Sequence, residues 1–415
     1  MMTQAFYTGL SGLMSQQTAI DIEADNIANI STIGFRGSNA EFASLFERTV
    51  VSTMDHSSVG IGSRVQTSSI NMQNGAIQLT DRNTDLAISD EGWFGIKDGD
   101  NRLFTRAGNF MFDSNSDLVN SDGMYVLGTM ANNIEGNVLK KEVLQTQLGD
   151  ISQQQTLRFP KSLSYPPVST THTSFLGNLG VDDETRVFGA VAIDPQNNKN
   201  NLKLHFTKSA KQPQEGVQWD IVATTQSLNG ETIYDTQKGS AIFNEEGALV
   251  SYSIADIDNN GSKIAIDLGD GYNGIVSMNI PYSAGSSQSD GTIGGELVGY
   301  EINRNAEVIA TFTNGMQSSV GKIALYHFNN EQGLDKISSS TYQESSNSGR
   351  AQFYKDSNGN NILGSSVMNF QLETSNVTMS SSLTQLIILQ RSYDSNSKVV
   401  STADQMMQKA LNMDA

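Results

Sequence analysis

The amino-acid sequence predicts an α+β protein with terminal α-helices that form a coiled-coil domain and two mainly-β domains in a nested, discontinuous arrangement. Three observations support this prediction. Both ends carry apolar residues at heptad spacing. The interior alternates short apolar runs with turns rich in Gly, Asn and Asp. A chain of 415 residues is also too long for one hydrophobic core.

The first element is a helix with a narrow apolar seam. Its seam residues recur at intervals of four and three, and they are Phe6, Leu10, Leu13, Ile20, Ala24 and Ile27. Gly9 and Gly12 lie inside this helix, where each costs about 1 kcal/mol relative to alanine. We therefore expect another backbone to approach closely at these two glycines. The polar Gln17 occupies one seam position and would help to set the register of a pairing.

The last element is a longer helix that begins at Met379 and contains neither proline nor glycine. Its seam residues are Leu383, Leu386, Tyr393, Val400, Met407 and Leu411, with polar interruptions at Gln390, Ser397 and Asp404. Two apolar positions in seven suit a coiled-coil partner better than a broad core. We expect the two helices to pack against each other or against copies of themselves as a self-assembly seam. The alternative is two terminal helices docked on one globular body.

Between the helices the sequence predicts a connector and two β domains. The predicted division is a helical domain of residues 1–30 and 376–415, a connector of 31–72, a middle β domain of 73–150 and 296–375, and an inserted outer β domain of 151–295. Pro160, Pro166 and Pro167 mark the entry to the insertion, and a Gly/Ser-rich stretch marks the return. If the two ends pair, the two halves of the middle domain must also come together.

Composition excludes several classes of protein. The chain has no cysteine, which excludes disulfides and thiolate metal sites. Its net charge of −18 argues against nucleic acid or an anionic membrane as a partner. No apolar run is long enough to insert into a membrane. The first ten residues lack a basic start and an apolar core, so we expect no cleaved secretory signal.

One segment imitates a calcium loop. The residues with the required oxygen ligands and turn glycine are Asp256, Asp258, Asn260, Gly261 and Asp267. The flanking segments are strand-like rather than helical, and aspartate at the twelfth position is shorter than the usual glutamate. The pattern therefore favours a hairpin turn rich in Asp and Asn over a calcium site.

Other motifs do not predict chemistry. Gly269, Gly271 and Gly274 match a dinucleotide-binding pattern, but no helix follows to bind a phosphate. The four histidines lack the spacing of metal ligands or of a catalytic base. We predict no catalytic residue, no cofactor and no metal, and a protein that is not an enzyme.

Four stretches together resemble a known family, the axial rod and hook proteins of the bacterial flagellum. Residues 9–37 contain NIAN and GFRG, residues 73–96 and 104–113 contain GWFGI and FTRAGNF, and residues 372–400 contain SNV and QRSY. These three stretches are similar to motifs that rod and hook proteins share. The fourth stretch, residues 313–334, and the large insertion at 151–295 favour the hook members.

The resemblance implies a structural subunit that self-assembles into a curved flexible tube and transmits motor torque to the filament. It implies an inner layer of terminal helices, a middle β layer and an outer layer formed by the insertion. Partners would be copies of the chain, the distal rod protein, the hook cap, the hook-filament junction proteins and the flagellar export apparatus. The location would be the extracellular hook of the flagellum. The alternatives are a distal rod protein with an extra domain, or a secreted β-domain adhesin.

Overall fold

Two helices, one near each end of the chain, pack against each other. The computed structural model describes residues 2–45 and 62–413, with α1 at Met2–Ala28 and α2 at Met379–Met413. A Cβ added to Gly9 would lie 2.8 Å from Cγ2 of Val400, and a Cβ added to Gly12 would lie 2.8 Å from the Asn396 side chain. The close approach predicted at these glycines is therefore present, and its partner is α2. Among the described residues, neither helix is long and apolar enough to span a membrane.

A β-hairpin follows α1 and lies along it. Its strands are β1 (Ser38–Leu45) and β2 (Gly62–Ile70), which pair antiparallel. Ser15 Oγ of α1 lies 2.8 Å from the Ser63 carbonyl oxygen, and the Asn26 side chain exchanges two hydrogen bonds of 2.9 Å with the Ser38 backbone. The sequence predicts an extended connector here, and the hairpin corrects that expectation. Its small polar residues pack on α1 rather than on a core of their own, so they carry no apolar alternation. Residues 46–61 of the predicted connector lie outside the described residues.

The first run of short strands follows the hairpin. They are β3 (Ile77–Leu79), β4 (Leu86–Ile88), β5 (Trp93–Asp98), β6 (Asn101–Thr105), β7 (Met111–Phe112), β8 (Leu118–Val119), β9 (Tyr125–Met130), β10 (Ile134–Glu135), β11 (Val138–Leu139), β12 (Gln155–Thr156) and β13 (Ser164–Tyr165). The apolar runs WFGIK and RLFT form the antiparallel pair β5 and β6.

The second run of strands forms two sheets with one shared core. The strands are β14 (His172–Asn178), β15 (Arg186–Ile193), β16 (Lys199–Lys208), β17 (Val217–Ser227), β18 (Ile233–Phe243), β19 (Leu249–Ser253), β20 (Ile257–Asp258), β21 (Lys263–Asp267), β22 (Gly269–Asp270), β23 (Asn273–Val276) and β24 (Ser283–Ser289). Strands β15 to β19 form a five-stranded antiparallel meander, and the others surround β14. Side chains of β16 and β17 alternate between buried and partly exposed, as strands covered on one face require. Phe188, Trp219 and Ile264 lie in the core between the sheets. We call β14 to β24 the outer unit.

The last run of strands returns to the first. The strands are β25 (Gly295–Ile302), β26 (Glu307–Phe312), β27 (Gln317–Ile323), β28 (Leu325–Tyr326), β29 (Asp335–Lys336), β30 (Thr341–Gln343), β31 (Tyr354–Lys355), β32 (Asn361–Ile362), β33 (Val367–Asn369) and β34 (Gln371–Glu373). Strands β25 to β27 insert between β13 and β9 in one sheet, and β33 and β34 pair with β4 and β3. We call β3 to β13 together with β25 to β34 the middle unit.

The core of the middle unit draws on both halves of the chain. Phe94, Val126, Val308 and Ile323 are completely buried in one apolar cluster. The cluster also includes Leu157, Phe159, Leu163 and Tyr165, so the middle unit extends beyond residue 150. Chain entry and exit of the outer unit lie side by side, because Tyr165 of β13 is the antiparallel partner of Gly295 of β25.

Candidate assembly surface and helix junction

The N-terminal seam is half-buried rather than fully buried in the single chain. Phe6, Leu10, Leu13, Ile20 and Ile27 are of intermediate exposure, and Ala24 is exposed. The fully buried positions lie next to them and are small or polar, namely Gly9, Gly12, Ser15, Ala19, Glu23 and Asn26. Small residues are buried because α1 is contacted from two sides, by α2 and by the hairpin.

The predicted seam residues of α2 differ in how far they are covered in the single chain. One predicted column is half-buried and consists of Leu386, Tyr393, Val400 and Met407. The other covered column is shifted by one residue and consists of Ser382, Leu389, Asn396 and Ala403. Leu383, predicted for that column, is 45% exposed. Leu411 lies in the last turn of α2, and its side chain is outside the described part. Both columns keep heptad spacing, so the covered face of α2 runs along its length.

Two apolar stripes of α2 are left exposed. The first stripe consists of Met379, Leu383 and Ile387, and the second of Ile388, Val399 and Met406, with exposed fractions between 45% and 52%. Large apolar side chains grouped on one element mark an interaction surface. Between the stripes lie the exposed basic residues Arg391, Lys398 and Lys409, whereas α1 contains acidic residues but no basic one. The free surface of α2 is therefore apolar at two edges and basic between them.

A buried ion cluster joins both helical ends to the middle unit. Arg36 follows α1, Arg106 follows β6, and Glu373 ends β34. Nη2 of Arg36 lies 2.9 Å from Oε1 of Glu373, and Nε of Arg106 lies 3.1 Å from Oε2 of the same carboxylate. All three side chains are 2% exposed. Two guanidinium groups thus share one carboxylate in a site that water barely reaches.

Backbone oxygens and one amide complete the cluster. Asn74 Oδ1 accepts hydrogen bonds from Nη2 of Arg36 at 2.8 Å and from Nη2 of Arg106 at 2.9 Å. Arg36 also donates to the Gln73 carbonyl, and Arg106 donates to the Gly92 carbonyl at 2.6 Å. These acceptors hold the guanidinium groups in place without neutralising their charge.

Burial sets the protonation behaviour of the cluster. It lowers the pKa of Arg106 to about 10 and also lowers the pKa of Arg36, while attraction to Glu373 opposes the shift in both. Both arginines therefore remain charged at neutral pH. Burial raises the pKa of the nearby Glu331 carboxyl, which makes Glu331 a weaker counter-charge than an exposed glutamate.

The segment after α1 is held between two other segments beside this cluster. Gly34 has a φ of +67°, and a Cβ there would lie 2.3 Å from the backbone nitrogen of Ala107. The Gly34 N–H donates to the Glu373 carbonyl at 2.8 Å. The Gly37 N–H donates to Oδ1 of Asn376 at 2.8 Å, and Asn376 donates its own N–H to the Phe35 carbonyl at 3.3 Å. Glycine is required at residue 34 both by its φ and by the lack of space.

A polar cleft of about 260 Å³ opens beside the ion cluster, lined by Arg36, Asn74, Trp93, Arg106 and Glu331 among others. Within residues 2–45 and 62–413, no three His, Asp or Glu side chains converge in a group that would hold a metal. The charged groups of the cluster bind each other, so the arrangement can hold chain segments together. Sequence analysis missed the cluster, because local patterns do not reveal a pairing among residues 36, 106 and 373. The signal that the sequence offers for this cluster is one charged residue in each of the three motifs that resemble rod and hook proteins.

Comparisons with known proteins match the segments that meet at this junction. Residues 6–36 match the family described as flagella basal body rod protein, residues 87–153 match the flagellar hook protein FlgE/F/G D1 domain, and residues 370–413 match the flagellar basal body rod FlgEFG protein C-terminal family. Each match contains one member of the cluster of Arg36, Arg106 and Glu373.

Whole-chain relatives carry one name. The flagellar hook protein FlgE of Borreliella burgdorferi is 28% identical over 451 residues, covering 99% of this chain and 100% of the relative. FlgE of Salmonella typhimurium is 27% identical over 428 residues with the same coverage. These matches support a flagellar hook protein. The chain is a structural subunit of the flagellar hook.

The fold also resembles a solved hook protein. The crystal structure of a Helicobacter pylori flagellar hook protein aligns with a TM-score of 0.53 and 14% identity, covering 72% of this chain and 100% of that one. A mostly-β hook fold is therefore shared over that part of the chain at low sequence identity. The terminal helices predicted from the sequence are confirmed.

Proposed function

We propose that this hook subunit self-assembles through its terminal helices into a curved flexible tube that transmits motor torque to the filament. The observation that supports this most directly is the surface of α2. Its two exposed stripes of large apolar residues have no partner among the described residues of the single chain. Burying such stripes against copies of the chain would provide a hydrophobic driving force for association.

The charge pattern supports contact between copies. The exposed surface of α2 carries three basic residues, Arg391, Lys398 and Lys409, and two acidic ones, Asp394 and Asp404. On α1, Asp21 is exposed, and Asp25 is exposed but pairs with Lys336 of the same chain at 3.0 Å. Opposite charges on the two helices favour an arrangement in which α2 of one copy lies beside α1 of another. Such contacts between exposed groups would weaken as salt is added.

We assign two roles to the seam residues. The half-buried column of α2 and the glycine face of α1 would hold the two helices of one subunit together as a coiled-coil pair. The two exposed stripes would contact neighbouring copies. Leu383, predicted for the covered column of α2, would therefore contact a neighbouring copy instead of α1. The N-terminal residues Phe6, Leu10, Leu13, Ile20, Ala24 and Ile27 would contribute to both, because most of them remain partly exposed.

The division into nested domains is also part of this proposal. The helical domain would be residues 1–30 and 376–415 and would line the inside of the tube. The middle domain would be 73–165 and 295–375, which enlarges the sequence-predicted 73–150 and 296–375 by the strands that share its core. Residues 166–294 would form the outer domain, and residues 31–72 would remain the connector. Further partners would be the distal rod, the hook cap, the hook-filament junction proteins and the flagellar export apparatus, in the extracellular hook.

The test is a charge placed on an exposed stripe. Ile387 is 51% exposed in the single chain, so Ile387→Asp should leave the melting temperature of the monomer unchanged. In an assembly that buries this position, the unpaired carboxylate would cost several kcal/mol. Electron microscopy of concentrated protein should show tubes for the parent and none for the variant.

The matched control is Ile387→Met, which keeps an apolar side chain of similar size and should still form tubes. Tubes of normal appearance from Ile387→Asp would remove this stripe from the assembly surface. Failure of the parent itself to form any ordered polymer would contradict the proposed self-assembly.

A further inference from the structure

We propose that the cluster of Arg36, Arg106 and Glu373 makes the docking of residues 34–37 conditional on the return of residues 371–376. The two ends of the chain would then be held on the middle unit together or not at all. The inference concerns the single chain, so it stands or fails independently of assembly.

The charges give the first reason. Arg36 and Arg106 are both 2% exposed, and Glu373 is the carboxylate that contacts both of them. Without Glu373, docking Arg36 would bring a second positive charge into a buried site that already holds Arg106. Removing one partner of a buried ion pair is strongly destabilising, because the remaining charge is left uncompensated.

The other charged groups nearby do not replace Glu373. Glu331 faces the cluster from the middle unit, but burial raises the pKa of its carboxyl and so disfavours its charged form. Glu91 lines the adjacent cleft, yet no ion pair joins it to either arginine in the described part of the chain. The remaining acceptors are neutral carbonyl and amide oxygens, which hydrogen-bond the guanidinium groups but carry no counter-charge.

The shape of the binding site gives the second reason. Residues 34–37 lie between the backbone at Ala107 and the segment that contains Val377, whose Cγ2 would be 2.8 Å from a Cβ on Gly37. The C-terminal segment supplies the acceptor for the Gly34 N–H, the acceptor for the Gly37 N–H and the donor to the Phe35 carbonyl. One side of this site therefore exists only after residues 371–373 have paired with β3 and the chain has continued to Asn376.

The consequence is a coupling between the chain ends. Among the described residues, the larger core cluster of the middle unit contains none from α1, the hairpin or β34, and the second cluster includes only Ile70 of the hairpin. The middle unit can therefore form while the N-terminal segment is undocked. A chain whose C-terminal segment is missing or displaced would keep its middle unit and release its N-terminal segment as well. Each properly folded subunit would then present both helices in a fixed relation.

The test is Glu373→Gln, which keeps the side-chain shape and removes the charge. Amide hydrogen exchange would be measured at the Gly34 and Gly37 N–H groups and at β26 and β27 of the middle sheet. We expect protection at Gly34 and Gly37 to fall by about a hundredfold or more, with β26 and β27 unchanged. The control is Asp117→Asn, which breaks the bond between a fully buried Asp117 and Arg158 within the middle unit. This control should lower the melting temperature of the middle unit while Gly34 and Gly37 stay protected under native conditions.

A double variant distinguishes the effect of the uncompensated buried charge from the effect of lost hydrogen bonds. Glu373→Gln with Arg106→Gln removes more hydrogen bonds than the single variant but leaves only one buried positive charge. We expect it to recover a large part of the protection at Gly34 and Gly37. Three results would each overturn the inference: undiminished protection in Glu373→Gln, no recovery in the double variant, or loss of protection in β26 and β27 together with the two glycines.

Discussion

At the scale of single residues, Gly9 and Gly12 show how residues that are unfavourable in a helix can predict a contact with a segment remote in sequence. Both lie inside a helix, where glycine is unfavourable by about 1 kcal/mol relative to alanine. The structure places Val400 and Asn396 where a Cβ would otherwise be. The sequence predicted the close approach but could not name its partner, because the partner lies almost 400 residues away along the chain.

Replacing Gly9 with alanine tests whether the absence of a side chain matters more than helix propensity. Alanine should favour the isolated helix, but its Cβ would meet Cγ2 of Val400 at 2.8 Å. A valine cannot turn aside easily because its χ1 is restricted. We expect the pairing of α1 and α2 to lose about 1–3 kcal/mol through overpacking. Amide exchange of both helices would report it.

The control for this prediction is Thr18→Ala, a change to the same residue type at an exposed position of α1. It should raise or preserve helix protection. Combining Gly9→Ala with Val400→Ala should recover part of the lost protection by making room. Increased protection of α2 in the single Gly9→Ala variant would show that the glycine has no packing role.

The ion cluster at the junction was not predictable from single residues. Arginine and glutamate are usually exposed, so a local pattern assigns them to the surface. Arg36, Arg106 and Glu373 become buried because three segments remote in sequence fold onto one another. Only the motifs that contain these three residues, through their resemblance to rod and hook proteins, indicated that the three segments are important.

At the scale of elements, heptad spacing predicted both helices and one of the two covered columns of α2. The second column is shifted by one residue, from Leu383 to Ser382, and the shift continues through Leu389, Asn396 and Ala403. The hairpin of β1 and β2 was not predicted, since its residues are covered by α1 and show no apolar alternation. The buried face of α1 was therefore misjudged by one residue for a physical reason, the presence of a second neighbour.

The segment from Asp256 to Asp267 was predicted as a hairpin turn because the sequences on both sides of it are strand-like. Strands β20 and β21 pair antiparallel with Asp258 opposite Lys263, and the turn contains Asn260 and Gly261 at positive φ. The hairpin is therefore confirmed. Asp267 lies four residues beyond Lys263 along an extended strand, which is roughly 13 Å away. Oxygens so far apart cannot surround one cation.

We therefore expect calcium to leave the stability of the protein unchanged. A ligand that binds only the native state raises its melting temperature. Melting curves in millimolar calcium and in chelator should coincide, and Asp258→Asn should not change the comparison. A rise of several degrees that is abolished by Asp258→Asn would establish a calcium site in this hairpin.

At the scale of the whole molecule, the strand pairing is the observation that supports the proposed nested order. Two helices that meet require the segments next to them to meet as well, and β25 to β27 lie between β13 and β9. The sequence predicts that the first half of the middle domain ends at residue 150, whereas the apolar core continues to Tyr165. Leu157 and Phe159 follow the two-residue strand β12 and lie outside any strand, so their side chains look like part of the insertion until the core is seen.

The boundary can be tested by deletion. Tyr165 and Gly295 are antiparallel partners, so a two-residue Asn-Gly turn can replace residues 166–294. This shortened chain should fold with the melting temperature of the middle unit preserved. Deleting 151–295 instead removes Leu157, Phe159, Leu163 and Tyr165, each at about 2–5 kcal/mol, and should abolish folding. Equal stability of the two deletions would contradict the enlarged middle unit.

The chain in which a turn replaces residues 166–294 also tests which part of the subunit sets the curvature of the tube. Its assembly surfaces on α1 and α2 are intact, so it should still form tubes in electron micrographs. A joint that bends while it rotates must let its outermost contacts form and break in every turn, and hydrated polar contacts suit that exchange. The exposed face of the five-stranded sheet has such a surface, with Lys203, Thr224 and Thr236 in register across three strands. We therefore expect tubes of the shortened chain to be straighter than those of the parent. Tubes of equal curvature would show that the middle and helical parts bend the joint without the outer unit.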